Sequence, residues 1–180
     1  SIFSSLLYTL HGDYKINLID TPGLDDFVNG VVSSLHVADA ALLLINAQNG
    51  VEVGTEIHGR YLSKADKPMI FVVNHLDHEK VNWEKSIEML KERFGHGVII
   101  VQYPANPGSD FNSIIDVLTM KMYRHGKDGG KPEVMDIPAD QMEQAKELHS
   151  QLIEKAAESE ESLMEQFFAN DTLTPEEFQK

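Results

Sequence analysis

At 180 residues the chain has room for one domain with a smaller companion, which excludes an architecture of many domains. Its 42% apolar and 24% charged residues belong to a chain that folds around a core, not to a disordered or collagenous one. With 29 acidic against 15 basic residues, a formal charge of −14 and no cysteine, it lacks the footprint for stand-alone nucleic-acid binding, a disulfide framework, a thiol nucleophile or thiolate zinc ligands.

The absence of cysteine fits a reducing, cytoplasmic setting. The apolar runs ADAALLLINA (38–47) and MIFVV (69–73) are far shorter than the roughly 18 residues of a membrane span, and the N-terminus is no signal peptide. The chain opens mid-pattern on SIFSSLLYTL without a Met and closes on TPEEFQK as a helix would begin. It is therefore expected to be an internal piece of a longer protein.

Residues 2–10 and 14–19 are β-prone runs around His11-Gly12-Asp13, a turn that predicts an antiparallel hairpin. After DTPGLDDF (20–27) come a helical stretch near 28–38, the strand-like ALLLINA (41–47), helix-compatible 53–65 and the strand PMIFVVN (68–74). Continuous apolar strands alternating with helix-length segments predict a parallel sheet with helices on its faces, whose ligands gather at the carboxyl ends of the strands. Residues 79–94 predict a helix burying Val81, Ile87, Leu90 and Phe94, ended by Gly95.

Beyond that point the composition changes. Residues 98–103 and 113–123 read as strands around the turn-rich PANPGSDFN, and 125–132 as a loop, so this half is expected to be antiparallel and separate. Pro138 is expected in the first turn of a helix whose core face is Met142, Ala145, Leu148, Leu152 and Ala156. Ser162 with Glu165, and Thr174-Pro175-Glu176-Glu177, signal two further helix starts. The eleven acidic and three basic residues of 139–180 read as a solvated helix surface.

Two segments carry candidate chemistry. Asp20-Thr21-Pro22-Gly23 directly follows a strand. A nucleotide site needs an acid near magnesium and a backbone N–H free to approach the terminal phosphate, roles that suit Asp20 and Gly23; the same four residues also serve as plain turn chemistry. About fifty residues on, Asn74-His75-Leu76-Asp77 ends another strand. A carboxylate there accepts two hydrogen bonds from the N1–H and exocyclic amine of guanine, which adenine cannot offer on that edge. The pairing of the two segments points to a guanine nucleotide. His75, Asp77 and His78 lack a well-spaced third ligand for a metal, and Ser33, Ser34 and His36 form no nucleophile arrangement.

The chain resembles translation elongation factor G over essentially its whole length. The resemblance rests on DTPGLDDF (20–27), VVNHLD (72–77), KERFG (91–95), QYPANPGSDF (102–111), IIDVLTMKMY (114–123) and IPADQMEQAKELHSQLIEKAAE (137–158). The last three resemble the subdomain that this family inserts into its GTPase domain. The resemblance implies an α/β fold: a partial P-loop-GTPase-type sheet with flanking helices over 1–95, and an α+β inserted subdomain over 96–180. It implies GTP or GDP with magnesium as cofactor, Asp20 acting through the metal, Gly23 on the terminal phosphate, and Asn74, His75 and Asp77 around the base. Its partners would be the ribosome and, through 96–180, the ribosomal stalk protein; the chain is expected to be a monomer.

Three departures bear on activity. No Gly-x-x-x-x-Gly-Lys-Ser/Thr occurs; Gly126 to Lys131 has the wrong spacing and precedes Pro132. Without that phosphate-cradling loop the chain is expected to bind GTP weakly or not at all. Leu24 occupies the position where the family carries the His that orients the attacking water, so no catalytic residue is assigned and a slow or silent GTPase is expected. His75 stands where the family has Lys along the guanine plane.

Overall fold

A computed structural model describes residues 2–127, 129–158, 163 and 165. The chain divides into two compact units, Ser1–His75 with Glu84–Arg93, and Leu76–Trp83 with Phe94–Lys180.

The first unit opens with the expected hairpin. Strands β1 (Ser5–His11) and β2 (Tyr14–Asp20) pair antiparallel around a two-residue turn, with Tyr8 opposite Asn17 and Ser5 opposite Asp20. Lys15 adds a cation–π contact, its ammonium 4.8 Å from the centre of the Tyr8 ring. A 3-10 turn at Asp25–Phe27 leads into α1 (Val28–Leu35). Then follow β3 (Ala41–Asn46), α2 (Val53–Lys64) and β4 (Met69–Asn74). Strands β3 and β4 pair in parallel, as the βαβ pattern requires, from Ala41 opposite Met69 to Asn46 opposite Asn74.

Alternation along β3 buries Leu43 and Ile45, and α2 packs against β3 and against α1. On the opposite face of this sheet Leu42, Leu44, Ile70 and Val72 are exposed among the described residues. Helix α3 (Trp83–Phe94) starts four residues later than expected, leaving Val81 outside it. Its buried residues are Leu90, as expected, and Ser86, which the apolar periodicity missed. Arg93 reaches Glu56 of α2 at 3.3 Å.

The second unit holds a four-stranded antiparallel sheet in chain order: β5 (Gln102–Pro104), β6 (Ser113–Asp116), β7 (Lys121–Arg124) and β8 (Glu133–Met135). Tyr103, Ile115, Val117, Met122 and Ile137 form its core with Ala145 and Leu148 of α4 (Met142–Ala157). Burial lifts the Tyr103 phenol above its usual range, and its hydroxyl donates to the Gln141 carbonyl at 3.4 Å.

Several expectations shift here. Only Gln102 and Tyr103 of the run 98–103 lie in a strand. The run 113–123 folds back on itself as β6 and β7, because Asp116 accepts both the backbone N–H (2.7 Å) and the hydroxyl (2.9 Å) of Thr119 while Met120 adopts φ +52°. Pro138 precedes α4 by a turn, its carbonyl accepting the Gln141 N–H at 3.0 Å. The expected face of α4 is correct and extends to Ile153 and Ala157, which pack with Leu163. The helix start read at Ser162 and the one read at Thr174 lie outside the described residues.

Candidate functional site at the strand tips

The carboxyl ends of β2 and β4 carry the candidate residues. Asp20 is the last residue of β2, exposed beside Ser5. Pro22 then turns inward and is buried, which anchors the segment. Helix α1 comes close against it: a Cβ on Gly30 would lie 2.9 Å from Ser4 Oγ and 3.4 Å from Pro22 Cδ. A side chain at position 30 would have to displace the Ser4 hydroxyl, so glycine gives the helix its close approach here.

Gly23 is different. It is exposed, and a Cβ built there would meet nothing within 4 Å. Packing among the described residues does not demand glycine at this position. Leu24 follows, 66% exposed, with its carbonyl accepting the Phe27 N–H at 3.0 Å to start the 3-10 turn. An isobutyl group in water neither donates nor accepts a hydrogen bond.

The one-to-one register of β3 and β4 puts Asn46 beside Asn74. This residue escaped the sequence reading, although its place at the end of ALLLIN is the signal that marks it. Its side-chain oxygen accepts the Gln48 N–H at 2.9 Å, and its carbonyl accepts the Gly50 N–H at 2.8 Å, so it shapes the loop leaving β3. Asn74 is held through its backbone, its carbonyl accepting the Ala47 N–H at 2.9 Å. His75 has φ +61°, in the left-handed region that costs a non-glycine residue about 1–3 kcal/mol. Asp77 belongs to the second unit, in the turn after Leu76, whose carbonyl accepts the Gly108 N–H at 2.8 Å.

Asp20, Gly23, Asn74 and His75 thus share the first unit, and Asp77 lies in the second. Among the described residues the side chains of Asp20, Asn74, His75 and Asp77 make no hydrogen bond or ion pair, and all four residues are exposed. Asp20 and Asn74 end paired strands, so their backbones are held while their side chains stay open. Among the described residues no three His, Cys, Asp or Glu side chains gather as a metal cage. His78 uses Nδ1 to accept the Lys80 N–H at 3.2 Å.

Asp20 ends the antiparallel ribbon β1–β2, and Asn46 and Asn74 end the parallel pair β3–β4, a two-stranded sheet of its own; in α/β sheets ligands gather at the carboxyl ends of parallel strands. Residues 1–170 match the family described as the elongation factor Tu GTP binding domain, and the chain belongs to that family. It is 35% identical, over its whole length, to elongation factor G of Ureaplasma parvum serovar 3 and to elongation factor G of Ureaplasma urealyticum serovar 10. A crystal structure from Thermus thermophilus superposes with a TM-score of 0.88 at 26% identity, covering 98% of this chain and 26% of that one. The chain spans about a quarter of the length of these curated relatives. Among the described residues no helix is long and apolar enough to cross a membrane.

Proposed function

We propose that the chain is part of a GTP-binding translation factor of the elongation factor G type, acting in ribosomal translocation in the cytoplasm. Residues 1–95 supply the central part of the GTP-binding domain, and residues 96–180 the inserted subdomain that meets the ribosomal stalk protein. The bound group would be GTP or GDP with magnesium. The terminal phosphoanhydride of GTP is the bond that hydrolysis breaks, and the metal offsets charge on the phosphates. Asp20 would hold the metal through water, and the Gly23 backbone N–H would face the terminal phosphate. Asn74 and His75 border the base, and Asp77 selects guanine by accepting its two edge protons.

The observation that carries this reading is a set of open polar ends: Asp20, Asn74, His75 and Asp77 have exposed side chains free of partners among the described residues, together with a Gly23 that packing does not require. Asp77→Asn tests it by calorimetry with GDP and ADP, on the protein at the length of its relatives. The substitution exchanges an acceptor for a donor opposite the guanine edge, and the GDP preference should fall by ~10² or more, since a site built for a hydrogen bond left unpaired discriminates strongly. Unchanged GDP affinity would remove Asp77 from the site. The 180-residue chain alone, which has no phosphate-cradling motif, should bind GDP weakly or not at all.

Leu24 favours a second reading, in which the GTPase half is a degenerate, hydrolysis-deficient scaffold for ribosome binding that has lost nucleotide. The same titration separates the two, because a scaffold without nucleotide gives no heat with GDP.

A further inference from the structure

Away from the strand tips, a cavity of about 420 Å³ opens between the C-terminal parts of α1 and α2, within the first unit. Val32 and Leu35 of α1 and Tyr61 and Ala65 from α2 and its end give it an apolar floor; His36, Lys64 and Lys67 stand around it. Leu35 is buried, while Tyr61 remains partly open.

The charge around this groove runs against that of the chain. The molecule carries −14, yet segments 27–38 and 57–65, which supply most of the wall, contain no Asp or Glu. Asp39 and Asp66 follow these segments and do not line the cavity. One turn before Lys64, Arg60 lies 4.0 Å from Glu56. The ammonium groups of Lys64 and Lys67 make no ion pair or hydrogen bond among the described residues. The helix dipole accounts for a lysine in the last turn of α2, but not for Lys67 beyond the helix or for the apolar floor beneath.

We propose that this groove docks an acidic peptide segment of a partner protein, seating a bulky apolar side chain on Val32, Leu35 and Tyr61 and setting its carboxylates against Lys64 and Lys67. A free inorganic anion would leave the apolar floor unused, and the volume lies in the range of pockets that enclose organic groups. A nucleic acid is disfavoured because it offers no aliphatic anchor and meets the −14 field. A membrane surface is recruited by clusters of about four to eight basic residues, more than this rim supplies. An acidic segment is repelled by most of the molecule and attracted here, which gives steering as well as affinity. This inference does not depend on nucleotide binding.

The test uses the protein at the length of its relatives, methyl-labelled at valine, leucine and alanine for NMR, and three synthetic peptides of equal length. One alternates Glu with Leu and Phe, one replaces Leu and Phe by Ala, and one replaces Glu by Lys. The first should move the resonances of Val32, Leu35 and Ala65, bind at least about tenfold more tightly than either control, and weaken as salt is raised. A variant with Lys64→Gln and Lys67→Gln should lose that advantage while keeping its thermal midpoint within a few degrees. Equal binding of the Ala peptide or the Lys peptide, a matching response to inorganic phosphate, perturbations confined to other residues, or no binding would each overturn the proposal.

Discussion

Ser86 and Ala47 are each about 1% exposed, and the Ser86 hydroxyl donates to the Ala47 carbonyl at 3.3 Å. Because the Ala47 N–H donates to the Asn74 carbonyl at 2.9 Å, this one residue ties α3 to the tip of β4. Ser86→Ala leaves that buried carbonyl without its side-chain donor and should cost about 1–3 kcal/mol in urea unfolding. A change below about 0.5 kcal/mol would mean that the bond adds nothing net to stability.

Gly50 has φ +70°, and a Cβ there would sit 2.5 Å from Met89 Sδ on α3. Two effects oppose Gly50→Ala: backbone strain of about 1–2 kcal/mol and a clash with a side chain that can swing away. Strain should dominate. Adding Met89→Ala to Gly50→Ala should therefore fail to restore stability; full recovery in thermal unfolding would assign the whole cost to the clash.

Leu24 points its side chain into solvent, and the bond that shapes its turn is made by its backbone carbonyl. Leu24→His should thus fold unchanged. In the protein at the length of its relatives, the substitution should raise ribosome-stimulated GTP turnover by about 10²–10⁴, the usual reach of a water-positioning or acid–base group. If the Leu24 form already turns over at the rate of a His-bearing relative, the proposed catalytic deficit is wrong.

Lys121 Nζ donates to Asp136 Oδ1 at 2.7 Å, and this hydrogen bond, followed by the ammonium charge, holds the Asp136 carboxyl below its usual range. A depressed folded value means that the stabilising contribution is complete above the ordinary carboxylate pKa and disappears as acid drives the pH down through the folded one. It is an acid-side effect only, and exposure keeps it small. A carboxyl NMR titration should find Asp136 low, and Lys121→Met should return it to the ordinary aspartate value. No response to Lys121→Met would break the link between the two.

Much of the first unit was legible because its signals are local. β-Prone composition and turn chemistry mark β1 and β2, while the continuous apolar runs ALLLIN and MIFVVN announce parallel strands. The turn between β6 and β7 was not legible: VLTM contains neither Gly nor Pro, and the reversal depends on an Asp116 side chain capping its own loop. Pro138 misled because a first-turn proline and a pre-helical proline look alike until the backbone bond of Gln141 is seen. Ser86 was passed over as a polar break in an apolar stripe, yet it is the residue that reaches across to Ala47. At the strand tips, the motifs named Asp20, Gly23, Asn74, His75 and Asp77 as candidates. Asn46 was missed because only the register of β3 on β4 makes it a neighbour of Asn74.

The β1–β2 ribbon shows Leu6, Leu7, Tyr8 and Leu10 on one strand and Ile16 and Leu18 on the other, all open to water. A hairpin of this kind closes in about 1–10 μs. Because these side chains are still exposed among the described residues of the folded chain, its greasy edges invite sheet growth between molecules. Crowded expression should thus favour inclusion bodies, and a holdase that recognises extended aliphatic stretches should grip residues 5–20 first.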